Sequence, residues 1–549
     1  MAIAPQAQVN RRKMAMVVVA SSAGTVFEWY DFFIFGSLAA IIGKHFFASV
    51  GPTQALIFAL LTFAAGFAVR PLGALVFGWF GDRFGRKRAF LVTITIMGLA
   101  TFAIGFLPDY TAIGVVAPCV LVFLRVCQGF AVGGEYGGAA VYVAEHAGAH
   151  NRGTATGWVQ VSATIGLLLA LGIILAIRLG MGEDAFAAWG WRIPFIVSVL
   201  LLGLSLWIRL RLQESPMFLR IQAEGTASRA PIAEAFFRWS NLKIVLIALF
   251  GLLMGQGVVW YTAEFYTLFF LQNVIKVDPQ RVNVLILIVT AAAAPLHLFF
   301  AWISDHVGRK PVMLFGLALA AISYFPGFAL LTQAANPGLA DAARKSPIVV
   351  LAAPSDCSIQ FNLIGKATVV TSCDIAHNAL TNAGVPYRTA AAPEGTFARV
   401  KVGREDVASP DGRKRSAAEL AAARKDFDAR LDKALIAAGY PKLADAKAMD
   451  IGRTLLILLV FIVAASALYG PQAAALVELF PTRIRYTAMS LPYHLGVGWF
   501  GGFLPATAFA IVAATGNIYA GLWYPVIVSA AGFVISLLFL PETYRRAIE

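Results

Sequence analysis

The sequence predicts an all-α membrane protein: a twelve-helix bundle of two six-helix halves, with a small α/β or α+β domain inserted between the ninth and tenth helices. Three observations carry this expectation. The chain is apolar beyond what a water-soluble core requires. It holds twelve apolar runs long enough to cross a bilayer. One loop rich in glycine, aspartate and arginine occurs twice, after the second helix of each half.

Hydrophobic residues make up 59% of the 549 positions and charged residues only 13%, against about 25% charged in soluble chains. Phe alone fills 41 positions. A chain in lipid needs an apolar exterior as well as an apolar core, which accounts for this excess. The net charge is +14, from 44 basic and 30 acidic residues. No basic stretch is interleaved with aromatics, so a nucleic-acid partner is not expected. Lys and Arg concentrate instead on one side of the predicted topology. Arg11, Arg12 and Lys13 precede a long apolar run with no small-residue cleavage site. That run is expected to be the first membrane helix, not a removable leader.

A spanning helix needs roughly 20 apolar residues. Such runs fall near 15–42, 54–80, 89–107, 111–143, 154–178, 193–210, 244–272, 282–303, 311–332, 452–479, 488–514 and 520–541. With the N-terminus inside, the inner loops receive Arg83, Arg86, Lys87, Arg88, Arg152, Arg309, Lys310, Arg483, Arg485, Arg545 and Arg546. The short outer loops receive only Lys44, Arg192, Lys276 and Arg281. Both termini are therefore expected in the cytoplasm and the chain in a bacterial-type inner (plasma) membrane. The expected organisation is 1–210 as the first half, 211–243 as a cytoplasmic linker, 244–333 and 452–549 as the second half, and 334–451 as an extracytoplasmic insert.

The insert has the pattern of a folded domain. Residues 348–351 and 367–370 are expected strands. Residues 416–438 are an expected helix, with Ser416 placed to cap it and Glu419 three residues later. Cys357 and Cys373 either form a disulfide outside the cytoplasm or stand as two unpaired thiols.

The repeated loop runs Gly78-Trp-Phe-Gly-Asp82-Arg83-Phe-Gly85-Arg86-Lys87-Arg88 in its first copy. The second runs Ala301-Trp-Ile-Ser-Asp305-His306-Val-Gly308-Arg309-Lys310. Glycine allows the sharp turn and close helix approach, and the carboxylate can pair with arginine or sit at a helix N-terminus. Such a charged cluster between helix ends can lock one conformation and release in another. Gly78, Asp82, Arg83, Gly85, Arg86, Asp305, Gly308 and Arg309 are the candidate gating residues. A single copy would suit a solvated turn; two copies at matched positions indicate duplicated halves, the construction of many secondary transporters.

These loops resemble the major facilitator superfamily, whose signature is G-x-x-x-D-R-x-G-R-[KR]. The first copy matches fully and the second departs at Ala301 and His306. Within that superfamily the chain resembles the metabolite:proton symporters, which include citrate, shikimate, 2-oxoglutarate and proline/betaine transporters. The resemblance rests on the string from Phe27 to Phe33, on Arg125-Val-Cys-Gln128-Gly129 with Gly133 to Gly138, on Trp191 to Phe195, on Glu214-Ser215-Pro216 and on Glu478 to Arg485. The insert is a departure from that pattern. The resemblance implies secondary active transport by alternating access, with import of a small organic solute, a carboxylate first and a zwitterionic osmolyte second, together with protons.

Ionisable residues at membrane depth persist where they pair or line a cavity. Glu28 and Asp31 share one face of the first helix, and Arg125 and Glu135 lie in the fourth. The resemblance points to Asp31 with Arg125 as the proton-coupling pair and to Glu28 or Glu135 as a second partner; a static buried ion pair is the alternative. Candidates for solute contact are Tyr30, Gln128, Gln160, Gln256, Tyr261, Glu264, Gln472 and Tyr493. His297 and His494 suit packing better than a proton relay.

No phosphate-binding loop is present, so direct drive by ATP is not expected, and neither is a cofactor or a metal. The partners expected are solute, protons and lipid, with a monomer as the default. A transporter-like receptor sensing ligand through the insert is the competing class. An enzymatic insert using Cys373, Asp374 and His377 lacks any reaction-specific spacing.

Overall fold

The computed structural model describes residues 11–49, 52–148, 150–211, 214–357, 370–544, 546 and 548. Twelve long helical segments form the bundle: α1 (Arg11–Ser37), α2 (Pro52–Phe84), α3 (Arg86–Phe106), α4 (Val116–His146), α5 (Arg152–Met181), α6 (Ile193–Leu210), α7 (Trp239–Val274), α8 (Pro279–Val307), α9 (Arg309–Ala335), α10 (Ile451–Leu479), α11 (Arg485–Tyr493, continued through Leu504–Thr515) and α12 (Trp523–Phe539). Most run a few residues past the apolar stretches that predict them. Polar residues such as Arg86, Arg152 and Arg309 begin helices instead of sitting in the loops between them. Among the described residues nine helices are long and apolar enough to cross a membrane. The eleventh is interrupted by a π-helical stretch, His494–Gly501.

The first half gathers its core from α1, α3, α4 and α6, around Phe27, Ile34, Met97, Leu121 and Phe195. The second half shares one continuous core with the insert. The halves meet chiefly along α5 against α8 and α2 against α11, a pairing that repeats under exchange of the halves. Gly85 (φ 109°) and Gly308 (φ 106°) open α3 and α9 at equivalent places. A side chain there would strain the backbone, which is why both loop copies keep glycine.

Small residues let α2 and α4 touch backbone to backbone: a Cβ at Gly129 would run into the Gly66 carbonyl, and one at Gly133 into the Arg70 carbonyl. Helix α7 carries three π-helical stretches, Ala248–Leu253, Thr262–Tyr266 and Phe270–Val274. Apolar periodicity gives no sign of them.

The insert occupies Asn336 to Asp450, at the end of the bundle opposite the repeated loops. Strands β1 (Ile348–Ala352), β2 (Tyr387–Ala391), β3 (Arg399–Val402) and β4 (Glu405–Ala408) form one mixed sheet in the order β2-β1-β3-β4. β1 and β2 are parallel and joined through the helix Ser372–Ala383; the other pairings are antiparallel. The expected strand at 367–370 falls mostly outside the described residues. The expected helix is Ala417–Ala437, and Ser416 and Glu419 close a reciprocal capping box. Cys357 and Cys373 are joined by a disulfide.

The contrast between crowded and open glycines gives a test. Gly129→Ala forces α2 and α4 apart, an overpacking cost of about 1–3 kcal/mol. At Gly172 a Cβ would meet nothing within 4 Å. Thermal unfolding of the purified chain should show a lowered Tm for Gly129→Ala and none for Gly172→Ala; equal behaviour would remove the close-approach argument.

Candidate functional site

The two loop copies build two latches of the same design. Asp82, at the end of α2, accepts the backbone N–H groups of Tyr486 and Thr487 at 3.3 and 2.8 Å, at the N-terminus of α11. Asp305, at the end of α8, accepts those of Gly153 and Thr154 at 2.8 and 2.7 Å, at the N-terminus of α5. Each aspartate thus crosses from its own half to a helix N-terminus of the other, where unpaired N–H groups and the helix dipole favour an anion. Each also pairs with an arginine four residues on, Arg86 at 2.9 Å and Arg309 at 2.7 Å.

A glutamate completes each latch. Glu145 of α4 pairs with Arg485 at 2.9 Å and lies 3.8 Å from Arg86. Glu478 of α10 pairs with Arg152 at 2.8 Å and Arg309 at 3.2 Å. A further carboxylate caps the helix that follows each loop: Glu214 accepts from the backbone of Arg86 at 3.0 Å, and Glu542 from that of Arg309 at 3.0 Å. Of the gating candidates, Gly78, Asp82, Gly85, Arg86, Asp305, Gly308 and Arg309 belong to these latches. A Cβ at Gly78 would meet the Thr487 backbone at 2.8 Å. Arg83 does not take part: it lies over the rings of Trp79 and Phe84.

Deeper in the first half, Asp31 is buried with Arg125. Arg125 Nη1 donates to Asp31 Oδ2 at 3.2 Å and to Gln128 Oε1 at 2.7 Å. Asp31 Oδ1 accepts from Thr101 at 3.0 Å and from Gln128 Nε2 at 2.8 Å. The guanidinium also lies over Phe35, 4.2 Å from the ring centroid. Glu28, Asp31, Arg70 and Arg125 share the wall of a small void with about 10 Å³ open to the centre of a water molecule, the room one water needs.

Two expectations need correction. Glu135 is not a partner of Arg125: it is ion-paired with Arg209 of α6 and accepts from Thr93 at 3.0 Å. Ten residues along α4 separate it from Arg125, about 15 Å of helix. Tyr30 does not face a cavity: its hydroxyl donates to the Pro194 carbonyl at 2.8 Å, binding α1 to α6.

The other solute candidates divide. Gln160 donates to Tyr136 at 3.0 Å and to the Tyr469 carbonyl at 2.9 Å, joining α5 to α4 and α10 across the halves. Tyr493 stacks on Tyr136 with centroids 3.8 Å apart. Tyr261 packs beside Trp260, which meets Trp29 of the other half at 5.4 Å. Gln472, one turn from Tyr469, has no hydrogen-bond partner for either buried amide atom. Gln256 Oε1, Gln160 Oε1 and Glu28 Oε2 are also buried and unpartnered. Buried polar atoms normally find partners; each of these four side chains keeps at least one such atom without a partner. Glu264 accepts from Thr290 at 2.7 Å, tying α7 to α8. Buried His297 packs against Tyr469, and His494 adjoins Tyr493 on α11.

Arg70, Thr101, Arg209, Glu145 and Glu542 escaped the sequence reading. Arg70 had a signal, since it interrupts the apolar run 54–80 just as Arg125 interrupts the fourth. Glu542 also had one: Glu542-Thr543 follows the last helix of the second half as Glu214-Ser215 follows that of the first.

The latch gives a test. Glu478→Gln leaves Arg152 without its carboxylate and Arg309 with Asp305 alone, a loss of about 3–5 kcal/mol for a buried pair. In a background with Cys119 and Cys127 replaced by Ser, a Ser490→Cys probe behind the latch should react with a water-soluble thiol reagent at least tenfold faster when Glu478→Gln is added. An unchanged rate would mean that the latch does not hold the halves closed.

Comparison with known proteins agrees with this architecture. The family model described as sugar (and other) transporter matches residues 16–234 and 434–549. The shikimate transporter of Escherichia coli K12 is 39% identical over 316 residues, covering 57% of this chain and 71% of that protein. The proline/betaine transporter of the same organism is 32% identical over 337 residues, covering 59% and 66%. Among solved structures, the proton:xylose symporter XylE bound to 6-bromo-6-deoxy-D-glucose superposes with a TM-score of 0.63 at 16% identity, covering 98% of each chain. The chain is therefore a member of the sugar (and other) transporter family, with the major-facilitator fold.

Proposed function

We propose that this transporter is a proton-coupled symporter that moves a small carboxylate by alternating access, with Asp31 as its proton-carrying group. The observation that carries the reading is the buried lattice of Asp31, Arg125, Gln128 and Thr101. Both oxygens of Asp31 are engaged as acceptors. Adding a proton to that carboxylate cancels its charge and turns an acceptor into a donor, so Arg125 loses its counter-ion. A guanidinium released in this way can receive a solute carboxylate in forked geometry. Proton and anionic solute then load together, because each neutralises what the other leaves exposed.

The solute class is supported by the name of the 39% identical shikimate transporter. A zwitterionic osmolyte, itself bearing a carboxylate, is the second reading, favoured by the proline/betaine relatives. We place the latches at the cytoplasmic ends of the helices and the insert outside, on the asymmetry of Lys and Arg across the short loops. The moving bodies are 1–210 and the second half, joined by 211–243, in a bacterial inner membrane; the chain acts as a monomer. Gln160, Gln256, Gln472, Tyr261 and Tyr493 face the solute. A receptor acting through the insert would show no flux.

The test uses proteoliposomes with an imposed pH gradient and a panel of shikimate, citrate, 2-oxoglutarate, proline and glycine betaine. One solute should accumulate in the wild type, and a protonophore should abolish the accumulation. Asp31→Asn should lose proton-driven accumulation at least tenfold while retaining solute counterflow, which needs no net proton movement. Undiminished accumulation in Asp31→Asn would reject Asp31 as the carrier. Absence of flux for every solute would favour the receptor.

A further inference from the structure

The seam between the insert and the bundle is tighter and more strained than a tethered domain requires. Lys276, in the turn between α7 and α8, has φ 53°; among the described residues no other non-glycine residue has positive φ. Such a conformation is uncommon for a side-chain-bearing residue and concentrates at functional sites. The backbone of this turn is held by the insert: Ala444 N–H donates to the Lys276 carbonyl at 2.9 Å, and Asn336 Nδ2 to the Ile275 carbonyl at 2.8 Å.

Gly384 (φ 70°), which ends the helix Ser372–Ala383, seats on the same turn. A Cβ there would meet the Val274 carbonyl and would come within 2.9 Å of Lys276 Cε. Tyr387 packs on Gly516 (φ 69°), beyond the end of α11, and its N–H donates to the Gly516 carbonyl at 2.9 Å.

Between these contacts lies a cavity of about 210 Å³. Its lining includes the polar side chains Asn273, Lys276 and Asn382. It also includes the apolar side chains Phe509, Val512 and Ile518. Lys276 is half-buried, and burial pulls its ammonium below the ordinary lysine value. No carboxylate among the described residues forms an ion pair with it. A partly desolvated cation in a cavity of mixed polar and apolar lining calls for an anion whose remaining body is apolar.

We propose that the seam cavity binds one oxyanion group, a phosphate or a carboxylate, carried on an apolar body, with Lys276 as its cation and Asn273 and Asn382 as its hydrogen-bond donors. The cavity opens beside the ends of two membrane helices, α7 and α11. Two sources of that chemistry are within reach there: the headgroup of an anionic phospholipid and a soluble carboxylate. Occupancy would join the insert to the bundle through a bound molecule. This site is separate from the Asp31 lattice, and its existence does not depend on proton coupling.

The test uses the full chain purified in detergent. Native mass spectrometry is run after exchange into phosphatidylglycerol or phosphatidylcholine, and thermal shifts are recorded with inorganic phosphate and with shikimate. If lipid is the source, one phosphatidylglycerol survives delipidation and phosphatidylcholine does not. If a soluble anion is the source, phosphate or shikimate raises the Tm and neither lipid is retained.

In either case Lys276→Gln should reduce the effect at least tenfold and Lys276→Arg should restore it. Val512→Trp, which fills the cavity, should abolish it without touching the charge. The proposal is overturned if the wild type binds none of these probes, or if Lys276→Gln binds as well as the wild type. Folding of the variants is checked by the Lys276→Arg rescue, which a merely destabilised seam would not show.

Discussion

A charge that leaves water must find its counter-charge in the protein, and the rest of this structure is arranged around that requirement. Arg86, Arg309, Arg485 and Arg209 are each about 1% exposed or less. Bringing such a group into a dry interior costs several kcal/mol unless a partner repays it. The partners are distributed across the division of the molecule. Asp82 and Asp305 each belong to one half and sit on a helix N-terminus of the other. When the halves separate at this end, the aspartates lose the helix termini, and Arg485 and Arg152 lose Glu145 and Glu478, while Arg86 and Arg309 keep the carboxylates of their own halves. Partial opening would leave unpaired charge without giving it water. Closure at this end therefore makes the crossing contacts as one set.

The Asp31 lattice has a different geometry. Its members lie on α1, α3 and α4, all in the first half, so it does not hold the halves together. Helix α4 relates it to the latch. Along its 31 residues it carries Arg125 and Gln128 at one level, Tyr136 stacked on Tyr493 of the other half further on, and Glu145 paired with Arg485 near its end. Its glycines fix it against the α2 backbone, so it moves as one piece with α2. Arg125 and Glu145 thus stand on one helix, the first in the Asp31 lattice and the second in the latch.

The sequence made the repeated element legible because glycine at positive φ and the paired Asp and Arg are local requirements of a turn. The capping box at Ser416 and Glu419 was legible for the same reason. Partnerships between distant segments were not. Arg125 and Arg209 are both single arginines in apolar runs, and only the packing of α6 against α4 assigns Glu135 to Arg209. Tyr30 carries the polar tip expected of a solute contact, but its hydroxyl is taken by Pro194 of α6. The π-helical stretches of α7 leave no mark on the apolar pattern, because that helix is apolar nearly all round and has no narrow stripe for an extra residue to displace.

The insert shows how a membrane bundle accepts a whole domain at small cost. Its ends meet: Asp450 N–H donates to the Ala334 carbonyl at 2.9 Å, so α9 and α10 stand as close as a short turn would leave them. Closure of the connection is therefore met inside the insert, where its own sheet and disulfide fix the path, and not by the bundle. Among the described residues, the hydrogen bonds that dock it reach Ile275, Lys276, Arg281, Ala334 and Gly516, all in the second half. A domain tied to both halves would oppose their relative rotation with every bond it made. One tied to a single half travels with it, so this addition is compatible with alternating access whatever it binds.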